Sequence, residues 1–295
     1  MGLFFSSDRF TRPGPGVRPD APRKKGVARL AEIMGRDMWN FFRAGFLAFL
    51  GCLPFIIGMF FAVETHALLF MLLAGIIGGL IAGPELSAMA DTVLRSLRDE
   101  PGYWWETYRR VWKRNARESL VPGMLTGLVL SIQIFTLFHM SVISAGIVTW
   151  ALLILSFMVT LGLESYIWPQ IALLDLPLYG ILKNSLLLFL GYLPRSLGAI
   201  AIKAVYWGAI LLFFPLTTII LPFTNFWLPM LPALLCIYQP LNKCFTIEST
   251  INKMREDDLN AALAKDNEPL PEEPAAEAEE TSEEPASDDS SSDVQ

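Results

Sequence analysis

Cysteine and histidine are scarce in this sequence, which contains three cysteines and two histidines. Cys52, Cys236 and Cys244 lie in or beside apolar runs, and their spacing matches no metal-binding motif. This pattern excludes a disulfide framework and a structural zinc site, and it is typical of free thiols among apolar side chains. We therefore expect a protein that needs no metal and no cofactor.

The signatures of several enzyme classes are also missing. The sequence has no glycine-rich phosphate loop, no Ser-His-Asp order and no HExxH zinc motif. Glu64, His66 and His139 are expected in outer loops, where they could share a metal ion, although histidines in exposed loops are usually just solvated. No enzymatic activity is predicted.

Charged residues are rare within the long apolar runs. Arg43, Glu85, Glu164 and Lys203 are expected near inner ends of the runs, where they can reach water or one another, and Gln133 lies well inside a run. Ion-coupled pumps carry relays of ionisable groups at mid-membrane. The scarcity of such groups argues against a pump of this kind.

Apolar residues, by contrast, are abundant and clustered. They make up 53% of the chain, whose mean hydropathy is +0.43, so a bilayer is the better solvent. Six runs are near the length of about 20 residues that crosses the membrane core. We expect them at about residues 44–63, 67–83, 120–138, 142–163, 204–223 and 226–241.

Each of these runs is predicted to be a helix, because backbone polar groups in lipid must be satisfied within the segment. The predicted fold class is all-α: a polytopic membrane bundle of six transmembrane helices, with amphipathic helices at the inner surface. Lysine and arginine are absent from the short connections at residues 64–66, 139–141 and 224–225. The positive-inside rule then predicts a multi-pass plasma-membrane protein with both termini in the cytoplasm.

Composition divides the chain into three parts. Residues 1–25 are rich in proline and glycine and are predicted to form an extended cytoplasmic leader, and residues 26–255 form the six-span domain. Residues 256–295 hold 15 of the 29 acidic residues, one lysine and no aromatic residue. Such a segment cannot bury a core, so a disordered cytoplasmic tail is predicted.

The connection between the second and third spans interleaves basic and aromatic residues. The pattern predicts an amphipathic helix on the inner leaflet, with rings in the interface and cations at anionic headgroups. It serves either as a membrane anchor or as a docking surface for a protein partner. Nucleic-acid binding is not expected beside two spans. The residues concerned are Trp104, Trp105, Tyr108, Arg109, Arg110, Trp112, Lys113, Arg114 and Arg117.

Two parts of the chain share a weak pattern, at residues 67–140 and 142–223. In each, a span is followed by a proline, a surface helix with a basic-Asn pair and a returning span. This would be a parallel repeat, with chance similarity as the alternative. Asn115 and Asn184 occupy corresponding positions, where they either brace the returning spans or contact a ligand.

The second span carries a face of small residues. Gly75, Gly79 and Gly83 form two overlapping small-xxx-small patterns, which let a second helix approach closely. The second helix belongs either to the same chain or to another molecule. The oligomeric state is left open.

Several stretches of the chain occur in a specific combination. They are RPGPGVRPDAPRKKG, DMWNFFRAGF, the Gly83-Pro84 pair, WWETYRRVWKRNARESL and LLDLPLYGILKNSLLLF. Over roughly residues 10–255 the chain thereby resembles the YesL-like family of bacterial membrane proteins. The resemblance implies no catalytic residues. It implies a genomic context beside carbohydrate ABC-transporter permeases.

The favoured function is therefore an accessory or regulatory partner of a carbohydrate ABC-uptake system, with membrane lipids and permease subunits as its partners. A small transporter or channel acting alone is the alternative, and a membrane-embedded lipid-modifying enzyme is the third. Polar groups that face one cavity at mid-membrane would favour transport. A sealed bundle with an exposed groove of small residues would favour the partner role.

Overall fold

The computed structural model describes residues 23–100, 102–140, 142 and 146–266. Over these residues the chain forms helices and no strand. One turn within the second helix, Ala74–Gly78, is π-helical. In chain order the helices are α1 Gly26–Thr65, α2 Leu68–Leu97, α3 Trp104–Phe138, α4 Ile147–Leu173, α5 Leu178–Gly191, α6 Leu193–Leu212, α7 Leu221–Thr224, α8 Trp227–Phe245 and α9 Ile247–Asp266.

Six helices in the described ranges are long and apolar enough to cross a membrane. They are α1, α2, α3, α4, α6 and the segment Leu221–Phe245, which contains α7 and α8. The predicted all-α polytopic bundle is thus confirmed.

The outward faces of these helices are apolar. Phe60 on α1, Leu152 on α4 and Val205 on α6 are 61%, 61% and 72% exposed. In water each would forfeit roughly 25 cal/mol for every Å² of apolar surface left unburied. Lipid removes that cost because its acyl chains are themselves apolar, and the backbone groups inside each helix are hydrogen-bonded within the helix.

The ends of the helices gather at two opposite ends of the bundle. At one end Arg29 of α1 reaches the last turn of α2, and Arg114 of α3 reaches the last turn of α4. We call this the basic end. At the other, His66 after α1 contacts His139 after α3. We call this the short-loop end.

Helix α3 differs from the prediction for its first part. Trp104–Phe138 is one continuous helix of 35 residues, so the basic-aromatic stretch is not a separate helix lying flat on a leaflet. No glycine or proline interrupts residues 104–120, and the helix therefore continues into the span. At about 52 Å long it exceeds the ~30 Å membrane core, so its first part projects beyond the core at the basic end.

The fifth span also differs, because α6 covers Leu193–Leu212 rather than residues 204–223. Pro215 lacks a backbone donor and disfavours helix in the residue before it, so the helix ends earlier. Lys203 consequently lies at the middle of α6. Because α4 extends to Leu173, Glu164 is also well inside its helix. Both had been expected near inner ends.

The last helix enters the segment predicted to be a disordered tail. Helix α9 runs from Ile247 to Asp266, and residues 267–295 lie outside the described residues, as do residues 1–22 of the predicted leader. By its contacts the chain divides into two units, Met1–Glu248 and Ser249–Gln295. The six spans belong to the first unit.

Three arginines hold the turn between α2 and α3. Arg23, Arg29 and Arg36 donate hydrogen bonds of 2.7 to 3.2 Å to the carbonyls of residues 96–98 at the end of α2. All three also contact the carboxylate of Asp99. Terminal carbonyls of a helix lack intrahelical donors, and cations there are favoured by the helix dipole. We call these four side chains the arginine clamp.

The orientation of the bundle is a testable prediction. In a variant with the native cysteines replaced, Glu64→Cys at the short-loop end is expected to react with an impermeant thiol reagent in whole cells, whereas Tyr103→Cys at the basic end is not. Both positions are exposed, so accessibility within the protein is matched. Both should react after the membrane is permeabilised. Labelling of Tyr103→Cys in intact cells would show that the orientation is the reverse of the predicted one.

Candidate functional site

The projecting part of α3 presents one exposed face. Trp105, Arg109, Lys113 and Arg117 follow one another at a spacing of four residues, which places them in a row along the helix. All four are exposed, and Trp105 is 57% exposed. None of the three cations forms an ion pair with another described residue. We call these four residues the α3 stripe.

Two of the aromatic residues predicted for membrane anchoring or partner docking make contacts within the bundle. Tyr108 donates its hydroxyl to Glu85 Oε2 at 2.5 Å, and Trp112 donates Nε1–H to Glu85 Oε1 at 2.9 Å. Tyr108 is 4% exposed. Both side chains therefore bind α3 to α2, and Tyr108 is unavailable to a partner.

Trp104 and Arg114 also serve contacts within the bundle. The guanidinium of Arg43 lies 5.6 Å from the ring centroid of Trp104 and 5.1 Å from that of Trp39, which is a cation–π arrangement. Arg114 donates to the carbonyl of Ala172, at 2.8 Å, near the end of α4. Together these contacts fix the first part of α3 against α1 and α4.

Arg110 is exposed but lies off the stripe. It forms an ion pair of 3.0 Å with Glu106, and both side chains are at least 70% exposed. Exposed pairs of this kind contribute at most about 1 kcal/mol. Arg110 therefore offers a matched control position at the same end of the bundle.

The two asparagines of the possible repeat lie in different surroundings. Asn115 is buried, and its Oδ1 accepts a hydrogen bond from Arg114, whereas Asn184 is half-buried in α5. A closer correspondence involves the residues that follow the two prolines. Glu85 accepts from Tyr108 of α3, and Gln170 donates to Ser185 of α5 at 2.8 Å. In each half of the repeat pattern, the polar side chain after the proline is hydrogen-bonded to the helix that follows.

The glycine face of α2 is filled by α3. A Cβ atom at Gly75 would lie 2.5 Å from Ser131 Oγ, and one at Gly83 would lie 2.5 Å from the carbonyl oxygen of Ser119. A Cβ atom at Gly79 would overlap the backbone of Gly123. The face therefore packs within the chain, and Gly75, Gly79 and Gly83 are all buried.

The two histidines meet at the short-loop end. Nδ1 of His66 is 2.6 Å from Nε2 of His139, whose Nδ1 is 2.7 Å from the carbonyl of Phe135. A carbonyl only accepts, so His139 donates from Nδ1, and in its neutral form it accepts at Nε2. No group of three or more metal-binding side chains occurs in the described ranges. The contact is thus a hydrogen-bonded pair.

The bundle contains an internal ion pair that the sequence pattern does not predict. Lys203 Nζ lies 3.7 Å from Glu164 Oε2, and Trp168 donates Nε1–H to Glu164 Oε1 at 3.2 Å. Lys203 is 6% exposed. Pro194, in the first turn of α6, was the signal that could have placed the start of this helix earlier and Lys203 at its middle.

This ion pair faces a cavity. The cavity has a volume of about 390 Å³ and lies between α1, α2 and α3 on one side and α4, α6 and α8 on the other. Its walls are apolar and include Phe55, Phe157 and Trp207, while Glu164 and Lys203 form a charged part of the lining. Ionisable groups within a membrane are costly and mark functional sites.

The chain matches no protein-family model, no curated protein and no solved structure. Its resemblance to the YesL-like family stays a prediction from the quoted stretches.

Proposed function

We propose that this integral membrane protein is an accessory or regulatory partner of a carbohydrate ABC-uptake system, rather than an enzyme, in a bacterial plasma membrane. The observation that carries the proposal is the α3 stripe. Its three cations and one indole project from the basic end and have no ion-pair partner in the described chain. The stripe docks on an acidic cytoplasmic surface of the permease subunits.

The rigidity of α3 supports docking. Glu85 and Arg114 hold the opposite side of the helix through hydrogen bonds to other helices, so the stripe has little ordering entropy to lose on binding. Tryptophan and arginine are enriched among the residues that dominate binding energy at interfaces. Cations arranged in a row also steer an acidic partner into register.

The position of the stripe supports a membrane partner. Helix α3 continues directly into a span, so the stripe stands close to the membrane surface, where the cytoplasmic loops of a permease also lie. Anionic headgroups are the competing occupant, and each basic residue near them contributes about 1 kcal/mol. The choice of a carbohydrate permease rests on the family resemblance.

The test is capture of permease subunits from the native host in mild detergent. Replacing Arg109, Lys113 and Arg117 together with glutamine is expected to reduce the captured permease by about tenfold or more, since about 1.4 kcal/mol of lost binding already gives that factor. The amount of the variant in the membrane should stay normal, because the hydrophobicity of the spans is unchanged.

A matched control removes the same charge elsewhere at the basic end. Arg110→Gln, Lys183→Gln and Lys243→Gln together change three exposed cations outside the stripe. Capture should stay near the wild-type level. Equal losses in both triple variants would indicate general attraction to lipid headgroups. Failure of the wild type to retrieve any permease subunit would overturn the accessory role.

A second candidate, a small transporter acting alone, meets the criterion given above, because polar groups face one cavity within the spans. The accessory role rests instead on the α3 stripe. The Glu164–Lys203 pair faces the cavity well inside the spans, and buried ionisable groups line the substrate pathways of transporters. Uptake or efflux by the purified protein in liposomes, with no other subunit present, would support this candidate over the first.

A further inference from the structure

The cavity has the dimensions of a small-molecule site. Its volume of about 390 Å³ lies within the range of about 300–1,000 Å³ that is typical of ligand pockets. Phe55, Phe157 and Trp207 supply aromatic walls from three different helices. An apolar body of matching size would replace empty space by dispersion contacts along these walls.

The polar part of the cavity lining has unused hydrogen-bonding capacity. An ammonium group carries three donors, and the 3.7 Å separation of Lys203 and Glu164 exceeds the ~2.7–3.2 Å of an N–H···O hydrogen bond. Glu164 already accepts from Trp168. Lys203 is buried and lines the cavity, so its donors can reach a group placed there.

The charge of the ion pair determines which kind of ligand headgroup is favourable in the cavity. Glu164 and Lys203 together are neutral, and an anionic headgroup would add an unbalanced charge to an apolar site, which is strongly unfavourable. A hydroxyl or carbonyl oxygen accepts a hydrogen bond from Lys203 without adding charge. The complementary ligand is therefore uncharged.

Exposure along the cavity indicates where a ligand enters. Phe138, at the end of α3, and Leu211, near the end of α6, line the cavity and are 55% and 56% exposed. Trp168 and Lys203 are nearly fully buried. The cavity is thus reached from the lipid-facing surface near the short-loop end, and the ion pair lies at its buried part.

We infer that the cavity binds an uncharged lipid with an apolar body and a hydroxyl-bearing headgroup, whose oxygen accepts a hydrogen bond from Lys203. Prenyl alcohols and acylglycerols share this chemistry. Glu164 is a positioning residue, because it holds the ammonium beside the cavity. The inference is independent of the α3 stripe and of any permease.

The test uses the full chain in lipid nanodiscs, labelled with a photoactivatable farnesol analogue and mapped by mass spectrometry. Labels are expected on cavity-lining peptides of α4 and α6. Farnesol should compete about tenfold better than farnesene, which lacks the oxygen, and better than farnesoic acid, which is anionic. Monoolein tests the acylglycerol source against the prenyl source. Equal competition by farnesol and farnesene would overturn the contact with Lys203.

Two variants separate the headgroup from the cavity. The double variant Glu164→Gln, Lys203→Met removes both charges together and should abolish the advantage of farnesol over farnesene while labelling persists. Leu130→Trp fills the cavity and should remove labelling, whereas Leu125→Trp on the lipid-facing side of the same helix should not. Labelling that survives Leu130→Trp in a monodisperse protein would overturn the site.

Discussion

Replacing Gly79 with leucine is expected to prevent the bundle from assembling. A Cβ atom at this position would lie 2.9 Å from the carbonyl carbon of Gly123 and 3.1 Å from Cα of Met124. These are backbone atoms, so no side chain can turn aside. Overpacking of a filled core costs about 1–3 kcal/mol and sometimes more. Because the change also separates α2 from α3, the loss in free energy of unfolding should reach the upper end of this range or exceed it. The measurement is thermal unfolding in detergent, with size-exclusion chromatography.

The matched control is Gly208→Leu. Gly208 also lies within a membrane-spanning helix, and a Cβ there meets no atom within 4 Å. The same change in helix propensity and hydrophobicity should therefore leave the unfolding temperature almost unchanged. Normal assembly of the Gly79 variant would contradict the close packing of α2 on α3.

Replacing Asp99 with asparagine is expected to give the second large effect. Asparagine tolerates the left-handed backbone at this position, where φ is 59°, but it removes the carboxylate that Arg23, Arg29 and Arg36 share. Hydrogen bonds to charged groups contribute about 1.5–3 kcal/mol each. Partial exposure of Asp99 screens them, so a total loss of about 2 kcal/mol is expected.

The same contacts predict how stability depends on pH. Burial opposes ionisation of Asp99, but hydrogen bonds from Arg36 and Arg29 outweigh burial and hold its pKa below the ordinary 3.8. A lowered pKa in the folded state stabilises the protein fully above the ordinary value, and this stabilisation is lost as pH falls through the folded-state value. Wild-type unfolding should show this acid-dependent loss, and the Asp99→Asn variant should lack it.

Glu106→Gln controls for the loss of one negative charge. Its carboxylate pairs with Arg110 on an exposed face, so the unfolding temperature should change little. If Asp99→Asn and Glu106→Gln destabilise the protein equally, the arginine clamp does not hold the turn between α2 and α3.

Much of the fold could be predicted from the sequence. Helical spans depend on local hydropathy, and the six predicted runs each overlap a helix that is long and apolar enough to cross a membrane. The close-packing face at Gly75, Gly79 and Gly83 was also visible, because small residues at a spacing of four lie on one side of a helix. Its occupant, α3, was one of the alternatives left open.

The ends of the spans and the surroundings of the charged residues were less predictable from the sequence. A charged residue in an apolar run was taken as the end of a span, which placed Lys203 at an inner end rather than at the middle of α6. The same reasoning separated the basic part of α3 from its span. A buried ionisable group is tolerated when a partner on another helix neutralises it, and the local pattern does not reveal that partner.

The sequence by itself determined the class of protein, the number of spans and the polar character of each end, because hydropathy and charge act between a segment and its solvent. Only the tertiary structure decided which cations are free and which are engaged. Arg109, Lys113 and Arg117 form no ion pair with another described residue, whereas Arg114 donates a hydrogen bond to the carbonyl of Ala172 on the neighbouring α4. That division depends on the rotation and separation of packed helices, which follow from contacts between residues far apart in the chain.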